Sequence, residues 1–144
     1  MDVDQATPRV RIEAACSVLG RDVVIDRCVE LLAGEPVDDG FVAVLGGAHA
    51  RRLLAGPLPP DQAYWLRVWA ARGMLWAGPG QDLHPLRQAL TDGAWRVREM
   101  ACKVIARHVV ADLVTDVADL DSDPVPRVRA AAKRAVARIV DAGA

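Results

Sequence analysis

A fixed spacing of 31 residues relates segments of the C-terminal half, and this internal repeat constrains the fold more than any other feature. Residues 96–107, RVREMACKVIAR, align without a gap on residues 127–138, RVRAAAKRAVAR. The same offset reaches back to residues 65–76, where Leu66-Arg67 stands at the place of Val97-Arg98. Repeats of this length are typical of stacked supersecondary units that bury one continuous core. We therefore predict an array of such units.

Each copy carries the periodicity of an α-helix. Apolar or small residues recur every four positions, as at Val97, Ala101 and Ile105, and form one stripe along a helix. Further helical stripes, such as the one around Leu86, lie between the copies, so helix pairs alternate along the chain. Breakers separate them at residues 78–80, 92–93 and 123–124. No segment has the period-2 alternation of a half-buried strand, and the sequence predicts an all-α domain.

The N-terminal part is less regular. Residues 23–32 predict one helix, whereas Phe41 to Leu54 is interrupted by Gly46-Gly47 and fits either one kinked helix or two short ones. The count of helix pairs favours two. A fourth copy of the repeat, Arg9-Val10-Arg11 followed by Ala14 and Val18, lies out of phase with the others. We expect a single domain over residues 1–144 with about eight helices, regular repeats over 61–141 and an irregular part over 1–60.

A short signature accompanies the regular copies: Asp, four or five residues, Val-Arg, then Ala three positions on. It occurs as Asp92 with Val97-Arg98-Ala101, as Asp123 with Val128-Arg129-Ala132, and in degenerate form as Asp61 with Leu66-Arg67-Ala70. Over residues 61–139 the chain thereby resembles short bacterial HEAT-like repeats of the phycobilisome-lyase type. The resemblance implies a right-handed α-α superhelix, a HEAT-like solenoid, and says little about activity because such folds host many unrelated roles.

The resemblance also implies a structural role for the repeated Arg67, Arg98 and Arg129. Arginine near a helix N-terminus is unfavourable unless a negative charge compensates the helix dipole, and an Asp precedes each of these arginines by six residues. In the solenoids that the chain resembles, such Asp and Arg residues join adjacent repeats. We expect a ladder of this kind here and do not assign these arginines to ligand binding.

A second set of basic residues recurs in the same register. The 31-residue offset superposes Arg72 on Lys103 and Arg134, and places the set on a helix face other than the packing stripe. In the same register Trp65 stands at the position of Arg96, and Trp76 at that of Arg107. These two tryptophans either cover the core or form an aromatic, arginine-lined recognition surface. Trp69 is predicted to be buried in both cases. The resemblance puts this face on the concave side of the solenoid. The candidate binding residues are Trp65, Arg72, Trp76, Arg96, Lys103, Arg107, Arg127, Arg134 and Arg138.

Motifs for catalysis and metal binding are missing from the sequence. His49, His84 and His108 have no paired ligand spacing, and the three cysteines fit neither a disulfide framework nor a zinc site, so buried thiols are expected. No nucleophile or nucleotide-binding motif occurs. We predict a non-enzymatic chain without cofactor or metal. The lack of a signal sequence and of a long apolar run predicts a cytoplasmic protein.

The function predicted from these features is that of a binding or scaffold module that recognises a protein partner. A net charge of -1 excludes a globally basic, nucleic-acid-coating protein, but a local basic surface containing tryptophan keeps nucleic-acid binding as the alternative. An enzymatic variant of that alternative is also considered, because DNA alkylpurine glycosylases can be HEAT-like solenoids with Trp, Arg and Asp on a basic concave face. Trp65, Arg72 and Trp76 are similar to that pattern. The assigned stripe positions contain no carboxylate, which argues against it.

Overall fold

The computed structural model describes residues 5–143, and all the regular secondary structure within this range is helical. Short 3-10 segments lie at Pro60–Gln62, Ala111–Leu113 and Asp119–Ser122. The α-helices are α1 (Pro8–Leu19), α2 (Arg21–Leu32), α3 (Asp39–Leu54), α4 (Tyr64–Ala77), α5 (His84–Ala89), α6 (Trp95–His108), α7 (Val114–Ala118) and α8 (Pro126–Gly143).

The helices begin and end at residues whose chemistry favours a terminus. The Thr7 hydroxyl accepts a hydrogen bond from the Val10 N–H at the start of α1, and the Asp38 carboxylate does the same for Phe41 at the start of α3. Helix α4 ends at Gly78, whose φ of 134° favours glycine. Proline stands at the first position of α8. The breakers in the sequence therefore lie at the predicted helix ends.

The longer helices pack on one another in succession. Helix α4 contacts α2, α6 contacts α4, and α8 contacts α6, while the short α5 and α7 pack against α6 and α8 respectively. The predicted stripe lies inside this packing, since Val97, Ala101 and Ile105 are fully buried and Ala132 is 1% exposed. The alternation of helix pairs and the helix register predicted from the repeat are confirmed.

The segment of α3 is broken at Gly47, whose φ of 63° and ψ of −143° are not helical. It therefore consists of two helical stretches joined at a kink, which agrees with the preferred alternative of two short helices. The break frees carbonyl groups at the end of the first half. Arg11 Nε donates to the Val44 carbonyl at 2.8 Å, and Arg72 Nη1 lies 3.4 Å from the Leu45 carbonyl oxygen. Two guanidinium groups thus cap an internal helix C-terminus, where cations are favourable.

Close contact between α2, α3 and α4 depends on the absence of a side chain at Gly73. A Cβ atom there would overlap with the Cys28 sulfur and lie 2.9 Å from Leu45 Cδ2. All three cysteines are buried, as predicted: Cys16 is 8% exposed and Cys28 and Cys102 are fully buried. Burial raises the pKa of both the Cys28 and the Cys102 thiols to about 12.

A candidate basic and aromatic binding face

The repeated Arg and Asp residues form a ladder between successive repeats. Arg67 Nε and Nη2 donate to the Asp92 carboxylate at 2.7 and 3.1 Å, and Arg98 donates to Asp123 in the same way at 2.8 and 3.1 Å. Arg67 and Arg98 thus each pair with the carboxylate of the following repeat. Arg98 and Arg129 also donate to the backbone carbonyl of the Asp of their own repeat, Asp92 and Asp123 respectively. The predicted structural ladder is confirmed for Arg67 and Arg98.

The ladder perturbs the acidity of its most buried carboxylate. Burial acts to raise the pKa of Asp123, but hydrogen bonds from Arg98 and the Val125 N–H, with the charges of Arg98 and Arg129, outweigh it. The pKa of Asp123 consequently lies below its usual value, and the group is ionised at neutral pH. The Arg98 and Asp123 side chains are 13% and 4% exposed. Water is therefore largely excluded from this pair.

The second set of recurring residues lies side by side across neighbouring helices. Arg96 Cζ of α6 lies 5.3 Å from the centre of the Trp65 ring of α4, and Arg107 Cζ lies 4.5 Å from the Trp76 ring. These are the positions that the 31-residue register superposes. Arg127 of α8 continues the row, with Cζ 5.2 Å from the centre of a Trp95 ring. We call the surface formed by these residues, together with Lys103, Arg134 and Arg138, the basic aromatic face.

The two tryptophans in the row serve the core and the surface at once. Trp65 and Trp76 are half-buried and pack against the core, while each ring also contacts a guanidinium group. Trp65 additionally donates from Nε1 to the Gln62 side chain at 3.2 Å and packs against His49 with ring centres 4.8 Å apart. Trp69 is 1% exposed, as predicted. The two interpretations of these tryptophans therefore do not exclude each other.

Arg72 departs from the expectation that it belongs to an open surface. Its guanidinium is half-buried beside the break in α3 and points at the Leu45 carbonyl. Burial lowers the pKa of Arg72, and the nearby charge of Arg11 lowers it further. Arg72 lies on α4 and reaches the break in the neighbouring α3, whereas Lys103, which shares its register, lies 3.7 Å from Glu99 and Arg134 is exposed. Arg72 is thus a capping group, and the register alone did not distinguish it from its surface counterparts.

A carboxylate lies within the face, contrary to the expectation that the stripe contains none. Glu99, 7% exposed, accepts from Arg127 Nε at 2.9 Å and from Nη2 at 3.3 Å, and lies 3.7 Å from Lys103 Nζ. The repeat did not predict a carboxylate at Glu99, because Val68 and Ala130 occupy the equivalent positions in the other copies. Glu99 holds two of the candidate cations and reduces the positive charge at the centre of the face.

The outer part of the face keeps its charge. Arg107, Arg134 and Arg138 are exposed, whereas Arg96 is half-buried and donates from Nη1 to the Tyr64 hydroxyl at 3.2 Å. Arg9 of α1 also joins the face, with Cζ 5.0 Å from the Trp76 ring centre. Sequence reasoning missed Arg9, Tyr64, Trp95 and Glu99. For Arg9 a signal existed, since it occupies the position of Arg96 and Arg127 in the out-of-phase copy.

His84 and His108 lie at helix termini. His108 Nε2 lies 3.1 Å from the Met74 carbonyl oxygen and 2.9 Å from that of Leu75, at the C-terminus of α4. The His84 backbone N–H donates to Asp82 at the start of α5. Among residues 5–143, no three His, Cys, Asp or Glu side chains are grouped so that they could hold a metal ion.

No helix within residues 5–143 has both the length and the apolar character required to cross a membrane. Comparison of the chain with known protein families, with curated proteins and with solved structures gives no match.

Proposed function

We propose that the chain is a short HEAT-like solenoid, a right-handed α-α superhelix, and that it acts as a cytoplasmic, non-enzymatic binding or scaffold module. The 31-residue repeat supports this architecture, as do the successive packing of α2, α4, α6 and α8 and the ladder between repeats. In a solenoid each repeat contacts only its neighbours and the exposed row of equivalent positions forms an extended binding surface.

The observation that carries the proposal is the row of contacts from Trp65 to Arg96 and from Trp95 to Arg127. Trp65, Arg96 and Arg127 occupy equivalent positions of three consecutive repeats. The Trp95 ring, at a different position of the repeat, contacts both arginines, so the charges and rings form one surface. The ladder arginines and the packing stripe already explain the stability of the stack. Exposed cations such as Arg134 and Arg138 make no ion pair or ring contact that would explain them among residues 5–143.

The partner we infer is a protein segment that carries carboxylates. Guanidinium groups match carboxylates in a bidentate geometry, and tryptophan and arginine dominate the energetics of protein interfaces. Glu99 favours a protein over a polyphosphate, because its buried negative charge lies between Lys103 and Arg127. Glu99 thereby interrupts the positive charge at the centre of the face. Separate cations on either side suit the spaced carboxylates of a peptide better than a continuous row of phosphates.

Nucleic acid is the second candidate, supported by a specific observation. Three tryptophans, Trp65, Trp76 and Trp95, lie beside arginines on one face, and base stacking on aromatic rings together with arginine contacts is how single strands are bound. The glycosylase-like variant requires a carboxylate available to substrate. Glu99 is instead 7% exposed and ion-paired.

The test uses single charge reversals on α8, Arg134→Glu and Arg138→Glu, compared with Arg87→Glu on α5. Arg87 is a matched control because its side chain is 51% exposed and lies 3.5 Å from Asp116, away from the face. Lys103 is avoided, since a Glu there would be placed beside the buried Glu99. The Glu that replaces Arg87 would also lie near a carboxylate, but Asp116 is 36% exposed, so solvent screens the repulsion. We expect all three variants to fold with stability close to wild type, because exposed charges contribute within about 0.5 kcal/mol.

Binding is measured by affinity capture from native lysate, with and without nuclease, and by salt titration with a labelled generic duplex DNA. A protein captured by wild type and by Arg87→Glu, lost with Arg134→Glu and insensitive to nuclease supports the proposal. Capture that is lost on nuclease treatment would support nucleic acid instead. In that case the slope of the logarithm of the DNA-binding constant against the logarithm of the salt concentration should fall by about 0.9 for each phosphate contact that a variant loses. Equal capture by all variants would place binding elsewhere on the molecule.

A further inference from the structure

Helix α8 has an edge that no other described helix covers. The equivalent edge of α6 lies against α8: Cys102 is fully buried there and is close enough to Asp123 and Arg134 to feel their charges. Thirty-one residues later the same helix position is Lys133, which is exposed. Val140 on this edge is 60% exposed, although it is apolar. The edge of α8 thus has the position of a packing surface between repeats and has no cover within residues 5–143.

A shallow apolar groove runs along this edge. Helices α7 and α8 enclose a groove of about 500 Å³, whose apolar lining includes Val117, Val136, Ala137 and Val140. Lys133 and Asp141 flank the apolar part on α8. Neither of these two charged groups makes an ion pair with another residue in the range 5–143. On α8 the apolar strip is therefore bounded by one unpaired positive and one unpaired negative charge, and Asp121 of the adjoining 3-10 segment adds a second carboxylate to the wall of the groove.

The positions of the two charges make the edge complementary to itself. Lys133 precedes Ala137 by four residues and Asp141 follows it by four, about one helical turn in each direction along the same side. A second α8, antiparallel and related by a two-fold axis at Ala137, brings Lys133 of each copy opposite Asp141 of the other. The small side chain at the crossing point allows the two helices to approach closely. Such a two-fold contact is closed, because the same patch serves both copies.

We propose that the α8 edge is a self-association surface, and that its occupant is a second copy of this chain with α8 antiparallel to α8. Arg134 and Arg138 lie about 100° further round the helix than Lys133 and Ala137. They remain on the basic aromatic face, so the association leaves that face open and gives each dimer two copies of it. The proposal does not depend on which partner the face binds.

The dimer is expected to be weak and reversible. One helix edge with an adjoining groove is a small interface compared with the roughly 1,600 Å² that stable complexes bury. The two symmetric ion pairs are exposed at the rim, so they set orientation and salt sensitivity more than affinity.

The experiment is sedimentation equilibrium of the full chain over a concentration series. It compares wild type with Lys133→Glu, Asp141→Lys and the double variant that exchanges the two charges. Each single reversal replaces two attractive contacts with two repulsive ones and should raise the dissociation constant of the dimer about tenfold. The double variant restores both pairs and should return the constant to within about threefold of wild type. Circular dichroism checks that every variant folds.

Two further variants separate this edge from the other apolar surface of the molecule. Val140→Asp should also raise the dissociation constant, whereas Val18→Asp should leave it unchanged, because Val18 lines a separate groove formed mainly by residues of α1. Wild type that stays monomeric at every concentration overturns the proposal. A dissociation constant that the single reversals leave unchanged, or that the charge exchange does not restore, also overturns it, as do dimers that are lost with Val18→Asp.

Discussion

The ladder carboxylate Asp123 provides the sharpest test of how the repeats are held together. In the variant Asp123→Asn, Arg98 loses its charged partner while 13% exposed. Removing one member of a buried ion pair costs about 3–5 kcal/mol. Two contacts reduce this cost here: Arg98 Nη1 still donates to the Asp92 carbonyl at 2.8 Å, and the amide oxygen of Asn still accepts one hydrogen bond. We therefore expect Asp123→Asn to lower the free energy of unfolding by about 2 kcal/mol.

Two comparisons separate the contributions. Asp123→Ala also removes the acceptor of the Val125 N–H at 2.9 Å, a capping contact that contributes about 1 kcal/mol, so its total loss should be about 3 kcal/mol. Asp92→Asn is the matched control one repeat earlier. Its partner Arg67 is 34% exposed, so solvent screens the pair and the loss should be about 1 kcal/mol.

Urea denaturation followed by tryptophan fluorescence and by circular dichroism measures all three losses. The order Asp123→Ala, Asp123→Asn, Asp92→Asn is the expected ranking. Because the pKa of Asp123 is lowered in the folded chain, its stabilisation is present above the unfolded pKa near 4 and is lost as the pH falls through the folded value. The difference between wild type and Asp123→Asn should therefore shrink in acid. Equal losses for the two Asn variants, or a difference independent of pH, would refute the burial argument.

Three further predictions concern the core. Gly73→Ala should cost about 2 kcal/mol because its Cβ overlaps with the Cys28 sulfur, whereas Gly93→Ala, with open space around it, should be nearly neutral; equal melting temperatures would contradict this. Ala132→Asp buries an unpaired charge and should destabilise by about 2 kcal/mol or more, and a wild-type melting temperature would disprove the helix register. The Cys102 thiol, with a pKa of about 12, should react with a thiol reagent at pH 8 only after unfolding; rapid labelling of the native chain would show that it is accessible.

The sequence alone determined the helical class and the register of the packing stripe, and its resemblance to HEAT-like repeats implied the ladder. The first two follow from local periodicity, because a stripe such as Val97, Ala101 and Ile105 can be buried only if the segment is helical and that side faces a neighbour. The repeat added the relation between segments. Helix ends were equally local, since Gly78 and Pro126 act through their own backbone geometry.

The tertiary structure decided which partner each charged group has. From the sequence, Arg98 could pair with Asp92 six residues earlier, yet its guanidinium binds the carboxylate of Asp123 in the next repeat. The register likewise made Arg72 equivalent to Lys103 and gave no sign that Glu99 lies among the cations. A hydrogen bond or ion pair depends on positions fixed to within a few tenths of an ångström between separate helices. Helical periodicity specifies the side of a helix on which a residue lies, but only the packing of one helix against the next brings two such residues to that distance.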